Sequence, residues 1–291
     1  MQKYFKESEL ILNPDGSVYH IRLKPEHIAP TVIVVGDQHR VEVISKHFDR
    51  VNFKIQGREF VTHTGELNNT PITVLSTGIG TDNIDIVINE LDAAVNIDLE
   101  KRVPKEKHTS LDIIRLGTSG ALQPDIDVDT FVASEYGLGL DGLLNFYKYS
   151  DQLVEKELTD AFIQQTGWSS KLPHPYIVKG SSRLLDKLAK DFKKGITATA
   201  SGFYGPQGRE LRIPLAFPEL NERIENFSHK GQVITNFEME TSALYALGGI
   251  LGHNTLTVCD IIANRVSKTY SKDYKKSVEK LIQHVLEKVT S

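Results

Sequence analysis

The feature that most constrains the fold is an alternation of short apolar runs with stretches of helical periodicity. Residues 31–35 (TVIVV) form a β-branched run that ends at Gly36, which is typical of a buried strand. Helix-like sequence begins near Gln38, and residues 274–289 carry apolar side chains at amphipathic helical spacing. Strands that alternate with helices predict an α/β fold with a largely covered sheet.

The other predicted elements continue this pattern. We predict strands at 72–75, 113–116, 130–134, 196–200, 233–237 and 256–262, and helices at 84–94 and from 238 onward. Several of these strands end in Gly, Ser or Thr directly before a helix. Ligands of such sheets collect at the carboxyl ends of strands, where backbone N–H groups can approach an anion. The polar stretch 100–110 is expected to be a solvated loop, not a domain linker.

Composition excludes several classes of protein. The 291 residues carry a net charge of −4, which argues against a nucleic-acid partner. Cys259 is the single cysteine, so an internal disulfide is impossible and a reducing, cytoplasmic location is expected. Its apolar strand predicts a buried, inert thiol. No apolar stretch is long enough to span a bilayer, and the N-terminus lacks the pattern of a signal peptide.

Two short motifs are rejected in their local context. Residues 137–142 (GLGLDG) match G-x-G-x-x-G, but no glycine-packed helix follows, so no dinucleotide site is predicted. Residues 125–129 (DIDVD) resemble a calcium loop but lack its later glycine and glutamate, so a plain loop is expected. The ten histidines show no ligand spacing, and we predict neither a metal nor another cofactor.

Arginines and small polar residues recur at the predicted strand ends. A single arginine beside a glycine is most often part of a surface ion pair. Several together match a phosphate dianion, which arginine forks and backbone amides bind well. The candidate anion-binding residues are Gly36, Arg40, Arg58, Arg115, Thr118, Ser119 and Gly120.

Two further segments place polar groups where a core would be expected. Glu238 and Glu240 stand at a strand-to-helix junction, where they either favour the helix dipole or accept hydrogen bonds from sugar hydroxyls. Residues 201–209 (SGFYGPQGR) place Phe203, Gln207 and Arg209 in one loop. That loop is either a simple turn or a site for a planar ring with carbonyl and N–H edges.

Taken in order, these segments resemble the nucleoside phosphorylase family of the hexameric purine-and-uridine type, closest to its uridine phosphorylase branch. The shared pattern is GDxxRV, REF, STGIG, RxGTSGA, FYxxQGR, FEMET and NR, and it runs from about residue 20 to 265. The resemblance implies one domain over 1–291 with a mixed, twisted central sheet flanked by helices. It also implies phosphorolysis of a nucleoside, with inorganic phosphate as a substrate.

The resemblance also implies a role for each matching position. Phosphate would be held by Gly36, Arg40, Arg115 and Thr118, with Ser119 and Gly120 beside them, and by Arg58 from a neighbouring subunit. Ribose would be bound by Glu238, Met239 and Glu240, and its 5′-hydroxyl by His20 of the neighbouring chain. The base would lie against Phe203, Ile262 and Ala263 and be read by Gln207 and Arg209. The catalytic set would be Arg115, Gln207, Arg209 and Glu240, in a homodimer or hexamer with shared sites.

Three alternatives remain open at this stage. Asp260 stands where the purine-cleaving branch keeps an acid, so it is either that acid or the ion-pair partner of an arginine such as Arg209 or Arg265. A nucleosidase would not need the candidate phosphate arginines, and a non-catalytic nucleoside-binding module would not need the complete site. The pairing of Gln207 with Arg209 favours uridine over a purine nucleoside.

Overall fold

The computed structural model describes residues 3–291; Met1 and Gln2, which begin the predicted domain, lie outside the described residues. The strands are β1 (Thr31–Val35), β2 (Arg50–Gly57), β3 (Phe60–Leu67), β4 (Thr70–Ser76), β5 (Ile97–Asp98), β6 (Val103–Pro104), β7 (Asp112–Ala121), β8 (Phe131–Gly139), β9 (Tyr176–Lys179), β10 (Lys193–Thr199), β11 (Ser228–His229), β12 (Gln232–Glu238), β13 (Asn254–Asn264) and β14 (Thr269–Tyr270). The α-helices are α1 (Gln38–Ser45), α2 (Thr81–Asn96), α3 (Lys156–Thr166), α4 (Ser182–Ala189), α5 (Leu220–Glu225), α6 (Thr241–Leu251) and α7 (Tyr274–Thr290).

One large mixed sheet organises these elements, which confirms the predicted α/β class. Its strand order is β11-β12-β10-β8-β13-β7-β1-β4-β3-β2, with β9 on β8 and β14 on β13. An additional antiparallel pairing joins β12 to β7 through Asn236 and Phe237 opposite Ala121 and Gly120. Strands β7, β13, β8, β10 and β12 therefore close into a ring, and β1, β4, β3 and β2 extend from it as an open sheet.

Parallel pairing brings several strand ends to one edge. β1 is parallel to both β4 and β7, with Val34 opposite Arg115. β10 is parallel to β12, with Thr199 opposite Glu238. Because parallel strands point the same way, the polar segments that follow β1, β4 and β7 meet at one edge of the sheet. The closing contact between β12 and β7 brings Glu238 to the same place.

Helices cover both faces of the sheet. On one face α2 and α6 pack over β1 and β7, with Val34, Ile88 and Leu244 fully buried. On the other face α1, α4 and α7 pack over β1, β7 and β13. A third cluster, around Phe162 and Phe227, fills the space between the ring, α3 and α5. Because both faces are covered, the strands read as continuous apolar runs in the sequence.

The predicted elements are confirmed, with changes at their ends. The strand predicted at 113–116 extends over ten residues, and the helix predicted from 238 begins at Thr241. The motif at 137–142 ends strand β8 and leads into a short 3-10 turn, and 125–129 is a loop. Within 100–110 only Val103–Pro104 pairs, with β5. The β2–β3 hairpin was not predicted, since β2 alternates exposed and partly buried positions and lacks an apolar run.

We expect Tyr245→Phe to lower stability measurably. The buried Tyr245 hydroxyl donates to the Ser134 carbonyl at 2.6 Å and accepts from the Thr257 amide at 2.9 Å, tying α6 to β8 and β13. Losing it leaves two buried backbone groups unpaired, at about 1–3 kcal/mol. Urea unfolding at fixed protein concentration measures the loss, with the exposed Tyr4→Phe as the control. Equal midpoints for the two variants would contradict the expectation.

Candidate active site

A cavity of about 770 Å³ opens at the edge where these strand ends meet. Fourteen of the residues predicted for the site line it. They are Gly36, Arg40, Arg115, Thr118, Ser119, Gly120, Phe203, Gln207, Arg209, Glu238, Met239, Glu240, Ile262 and Ala263. His20, Arg58 and Asp260 are the three predicted residues that do not. The fold thus gathers side chains from segments more than 200 residues apart into one cavity.

Arg40 provides positive charge in the cavity. It lies in the first turn of α1, directly after β1, and its Nη1 donates to the Leu116 carbonyl at 3.2 Å. Its neighbour Asp37 caps the helix by accepting from the His39 amide at 2.9 Å. Among residues 3–291, no carboxylate forms an ion pair with Arg40. Burial lowers the Arg40 pKa, the Asp37 charge partly offsets this, and the nearby Arg115 charge lowers it further, so an anion in the cavity would stabilise the charged guanidinium.

Arg115 is held between two glutamates. Its side chain is almost wholly buried, one terminal nitrogen lies 3.2 Å from Glu238 Oε2, and the other forms a very short ion pair with Glu240. Burial alone would lower the Arg115 pKa, but the charges of Glu240 and Glu238 raise it above its usual value. The guanidinium is therefore permanently charged. Arg115, predicted to bind phosphate, thus forms a direct ion pair with Glu240, predicted to bind ribose.

Glu238 and Glu240 both accept hydrogen bonds at the junction of β12 and α6. Glu238 accepts from the amides of Glu240 and Thr241 at 3.0 Å and from Thr199 Oγ1 at 2.7 Å. It thereby satisfies buried N–H groups that have no partner within α6, which supports the helix-end interpretation of this residue. Glu240 instead faces Arg115, and burial raises its pKa despite the lowering effect of that charge. The two carboxylates thus have different surroundings.

The loop between β4 and α2 completes the environment of Glu240. Its sequence, TGIG, gives Gly80 a φ of +97°, which glycine adopts without strain. The Gly80 amide then donates to Glu240 Oε1 at 2.8 Å. Sequence reasoning recognised the motif but missed this contact and that of Thr199. The signals that could have revealed them were the small polar residues at the ends of β4 and β10.

Cys259 contacts the Arg115 side chain of the Arg115–Glu240 ion pair. Burial raises the pKa of its thiol to about 12, and Arg115 Nη1 lies 3.6 Å from Sγ. A thiol of that pKa is protonated at neutral pH and is a poor nucleophile. The predicted burial of Cys259 is confirmed.

The base-recognition residues form a preorganised loop. Gln207 is buried, and its Oε1 accepts from Arg209 Nη1 at 2.6 Å. Arg209 also donates to the Phe203 carbonyl at 2.6 Å and stacks 3.8 Å above the Phe203 ring. Arg265, which sequence reasoning did not place here, donates to the Gln207 carbonyl at 2.5 Å. Amide, guanidinium and aromatic ring therefore share one wall of the cavity, which is more than a simple turn provides.

Asp260 lies neither in the cavity, as an acid for a purine base would, nor in an ion pair with an arginine of the described chain. It is fully buried outside the cavity, accepts from Ser277 Oγ of α7 at 2.8 Å, and leaves Oδ2 unpaired. Among residues 3–291 it forms no ion pair with Arg209 or Arg265, so that expectation is wrong. Successive strand residues face opposite ways: Cys259 faces Arg115 and Asp260 faces α7. Ile262 and Ala263, beyond a register shift in β13, return to the cavity.

His20 and Arg58 lie together outside the cavity. The Arg58 guanidinium lies 5.7 Å from the centre of the Tyr19 ring, which contacts the His20 ring edge to face at 4.7 Å. Arg58 is exposed at the β2–β3 turn, and His20 is partly buried beside α2. The two residues predicted to act across a subunit boundary thus form one cluster on this chain's surface.

Within 3–291, no three His, Cys, Asp or Glu side chains are grouped as metal ligands would be. Over the same range, no helix combines the length and apolar character needed to cross a membrane.

Fold and cavity together define an α/β protein whose strand ends form a cavity lined by arginines and carboxylates. The phosphorylase superfamily model matches residues 30–290, and the chain belongs to that family. Uridine phosphorylase from Thermococcus kodakarensis is 31% identical over 272 residues, covering 93% of this chain and 86% of that protein. Uridine phosphorylase from Treponema pallidum is 28% identical over 251 residues, covering 86% and 83% respectively.

A solved structure from the same family has a similar three-dimensional fold. The nucleoside phosphorylase of Trypanosoma brucei, described as showing uridine phosphorylase activity, matches with a TM-score of 0.84 and 28% identity. The match covers 96% of this chain and 99% of that one. The mixed sheet and its helices are therefore those of the family.

The surroundings of Asp260 predict a pH dependence of stability. Burial raises its pKa to about 6 from 3.8, so the folded protein binds more protons than the unfolded chain between pH 4 and 6. Stability contributed by this residue therefore falls as pH rises through that interval, by about 2 kcal/mol. Urea unfolding of wild type and Asp260→Asn across pH 4–7 isolates the effect. The variant should gain stability relative to wild type as pH rises, and a constant difference would contradict the argument.

Proposed function

We propose that this chain is a uridine phosphorylase, which converts uridine and phosphate reversibly to uracil and ribose 1-phosphate. The observation that carries the proposal is that one cavity gathers three kinds of group. It is lined by an arginine that forms no carboxylate ion pair among the described residues, by a pair of buried glutamates and by an amide–guanidinium loop. Phosphate, ribose and uracil require those three chemistries. The relatives' recorded activity agrees with this assignment.

Phosphate is proposed to bind at Arg40. Gly36 and Thr118 line the cavity beside it, and Arg115 adds a second fixed positive charge. Arginine matches phosphate because its donors form a planar fork. Arg115 already neutralises Glu240, so phosphate would form its main ion pair with Arg40.

Ribose is proposed to lie against Glu240 and Met239. The Gly80 amide and Arg115 hold the Glu240 carboxylate in one orientation, which leaves it prepared to accept from the 2′- and 3′-hydroxyls. Preorganisation of this kind avoids reorganisation on binding. Glu238 is occupied by the α6 amides and Thr199, so we assign it the role of fixing this segment.

In the proposed reaction phosphate attacks C1′ while the C1′–N1 bond breaks. The sugar passes through a state with oxocarbenium character, and the bonding electron pair leaves with uracil. Arg209 and Gln207 stabilise the charge that develops on the departing base, an electrostatic effect of fixed donors. Binding both reactants in one cavity adds a gain from proximity. This scheme uses phosphate and the chain's own side chains, with no further cofactor.

Purine cleavage is disfavoured by the position of Asp260. A purine leaves more easily when an acid protonates N7, but Asp260 is sealed against α7 and does not line the cavity. Hydrolysis by a nucleosidase would leave Arg40 without a purpose. A non-catalytic binding module would not require the buried Arg115–Glu240 pair, whose assembly takes charges out of water.

We further propose that the active unit is a homodimer or a hexamer of dimers. His20 and Arg58 lie outside this chain's cavity and form a single surface cluster. A second copy that placed this cluster over the cavity mouth would bring them to the ribose and the phosphate.

Activity should require phosphate, and Arg40→Met should raise the KM for phosphate about 10- to 100-fold. A charged hydrogen-bonding partner of a bound anion is worth about 1.5–3 kcal/mol. The KM for uridine should change less. Initial rates at varied phosphate measure this, with the exposed Arg50→Met as the matched control. Equal release of uracil in phosphate-free buffer would exclude phosphorolysis.

Uridine should be cleaved well and inosine poorly. Arg209→Ala should lower kcat/KM for uridine at least 100-fold, because it removes charge stabilisation of the leaving base at about 3 kcal/mol or more. Asp260→Asn should retain most activity near pH 7. Assays of both variants on both nucleosides test the assignment. If inosine were the better substrate and Asp260→Asn abolished its cleavage, the purine alternative would be correct.

A further inference from the structure

Glu90 is a polar residue of α2 whose hydrogen bonds all serve one short segment. It lies in the third turn of the helix, with its side chain largely buried. Oε1 and Oε2 both accept from the His20 amide, at 3.0 and 2.9 Å, and Oε2 also accepts from the Ile21 amide at 2.9 Å. Oε1 additionally lies 2.6 Å from His20 Nδ1. No sequence motif singles out this residue.

These contacts determine which ring nitrogen of His20 carries hydrogen. An ionised carboxylate has acceptors only, and two backbone amides already point at it. The short contact to Nδ1 therefore requires an Nδ1–H donor. In a neutral imidazole Nε2 is then left with a lone pair and acts as an acceptor. The Tyr19 ring packs edge to face against the His20 ring, and the Arg58 guanidinium lies over Tyr19 in turn.

Helix α2 connects this histidine to the ribose end of the cavity. The helix begins at Thr81, directly after the Gly80 amide that holds Glu240. Glu90, nine residues further, holds His20. One rigid helix thus fixes a carboxylate of its own cavity and a histidine that faces outward. In a shared site, the N-terminus and the third turn of α2 would serve two different nucleosides.

We propose that Glu90 is a positioning residue that fixes His20 as a hydrogen-bond acceptor for the 5′-hydroxyl of a nucleoside bound in the partner subunit. This inference rests on the proposed function, because it requires a nucleoside with a 5′-hydroxyl donor. The specificity follows from the tautomer. A 5′-group that can donate is accepted, and a 5′-group that can only accept faces the Nε2 lone pair.

Glu90→Gln tests the mechanism because it keeps the shape and changes the donor pattern. The two backbone amides claim Gln Oε1, so its NH₂ faces Nδ1, and His20 must then carry hydrogen on Nε2. The substrates are uridine and 5′-fluoro-5′-deoxyuridine, whose fluorine can accept but not donate. Wild type should prefer uridine about tenfold in kcat/KM, the worth of one well-placed hydrogen bond. In Glu90→Gln the preference should fall below about threefold, since Nε2–H can donate to either group.

His20→Ala and Glu100→Gln complete the set. The first should remove the same preference, and adding Glu90→Gln to it should have no further effect. The second removes an equal charge from an exposed position past the end of α2 and should retain the wild-type preference. Equal loss of activity toward both substrates in Glu90→Gln would indicate a purely structural role and overturn the proposal.

Nitrogen-15 NMR of histidine-labelled protein gives a readout independent of activity. With ten histidines, the His20 signal is identified by its absence in His20→Ala. Wild type should show the Nδ1–H tautomer and Glu90→Gln the Nε2–H tautomer; an unchanged tautomer would overturn the proposal. If uridine is cleaved but wild type does not distinguish the two substrates, the inference fails while the proposed function stands. If uridine is not cleaved at all, the proposed function fails, and the tautomer result alone decides whether Glu90 fixes His20.

Discussion

Arg115 lies buried between Glu238 and Glu240, and this ion-pair cluster is where most of the site is anchored. Arg115 comes from β7, Glu238 ends β12, and Glu240 precedes α6, while the Gly80 amide at the start of α2 holds the second glutamate. A buried charge requires partners, since removing one from such a pair costs about 3–5 kcal/mol. The segments that carry these groups therefore depend on one another for their positions.

Closure of the strand ring makes this cluster possible. The antiparallel contact between β12 and β7 brings Phe237 beside Gly120, one residue before Glu238. Without that contact, the two parallel groups of strands would present their polar ends separately. The closed ring also leaves no free edges among its five strands, so the site is built on a rigid support. The loop that carries Gln207 and Arg209 is attached to this support through Arg265.

Charge is unevenly compensated among the arginines of the cavity. Arg115 forms ion pairs with both glutamates, so it contributes geometry and a fixed field. Arg40 forms no ion pair with a carboxylate among the described residues, so its charge is available to an anion. Arg209 is held by neutral oxygens of Phe203 and Gln207, which leaves its positive charge available to a departing base. The same residue type therefore has three different electrostatic situations within one cavity.

The sequence by itself determined the α/β class and the main strands, and most of the residues it singled out line one cavity. It could do so because buried parallel strands leave continuous apolar runs and because small residues at their ends mark the binding edge. Only the tertiary structure decided which side chains form ion pairs and hydrogen bonds with one another. Pairing of Arg115 with Glu240 joins residues 125 positions apart, and the opposite directions of Cys259 and Asp260 depend on the pleat and register of β13. The contact of Glu90 with His20 depends likewise on how α2 docks on the sheet, which no local pattern encodes.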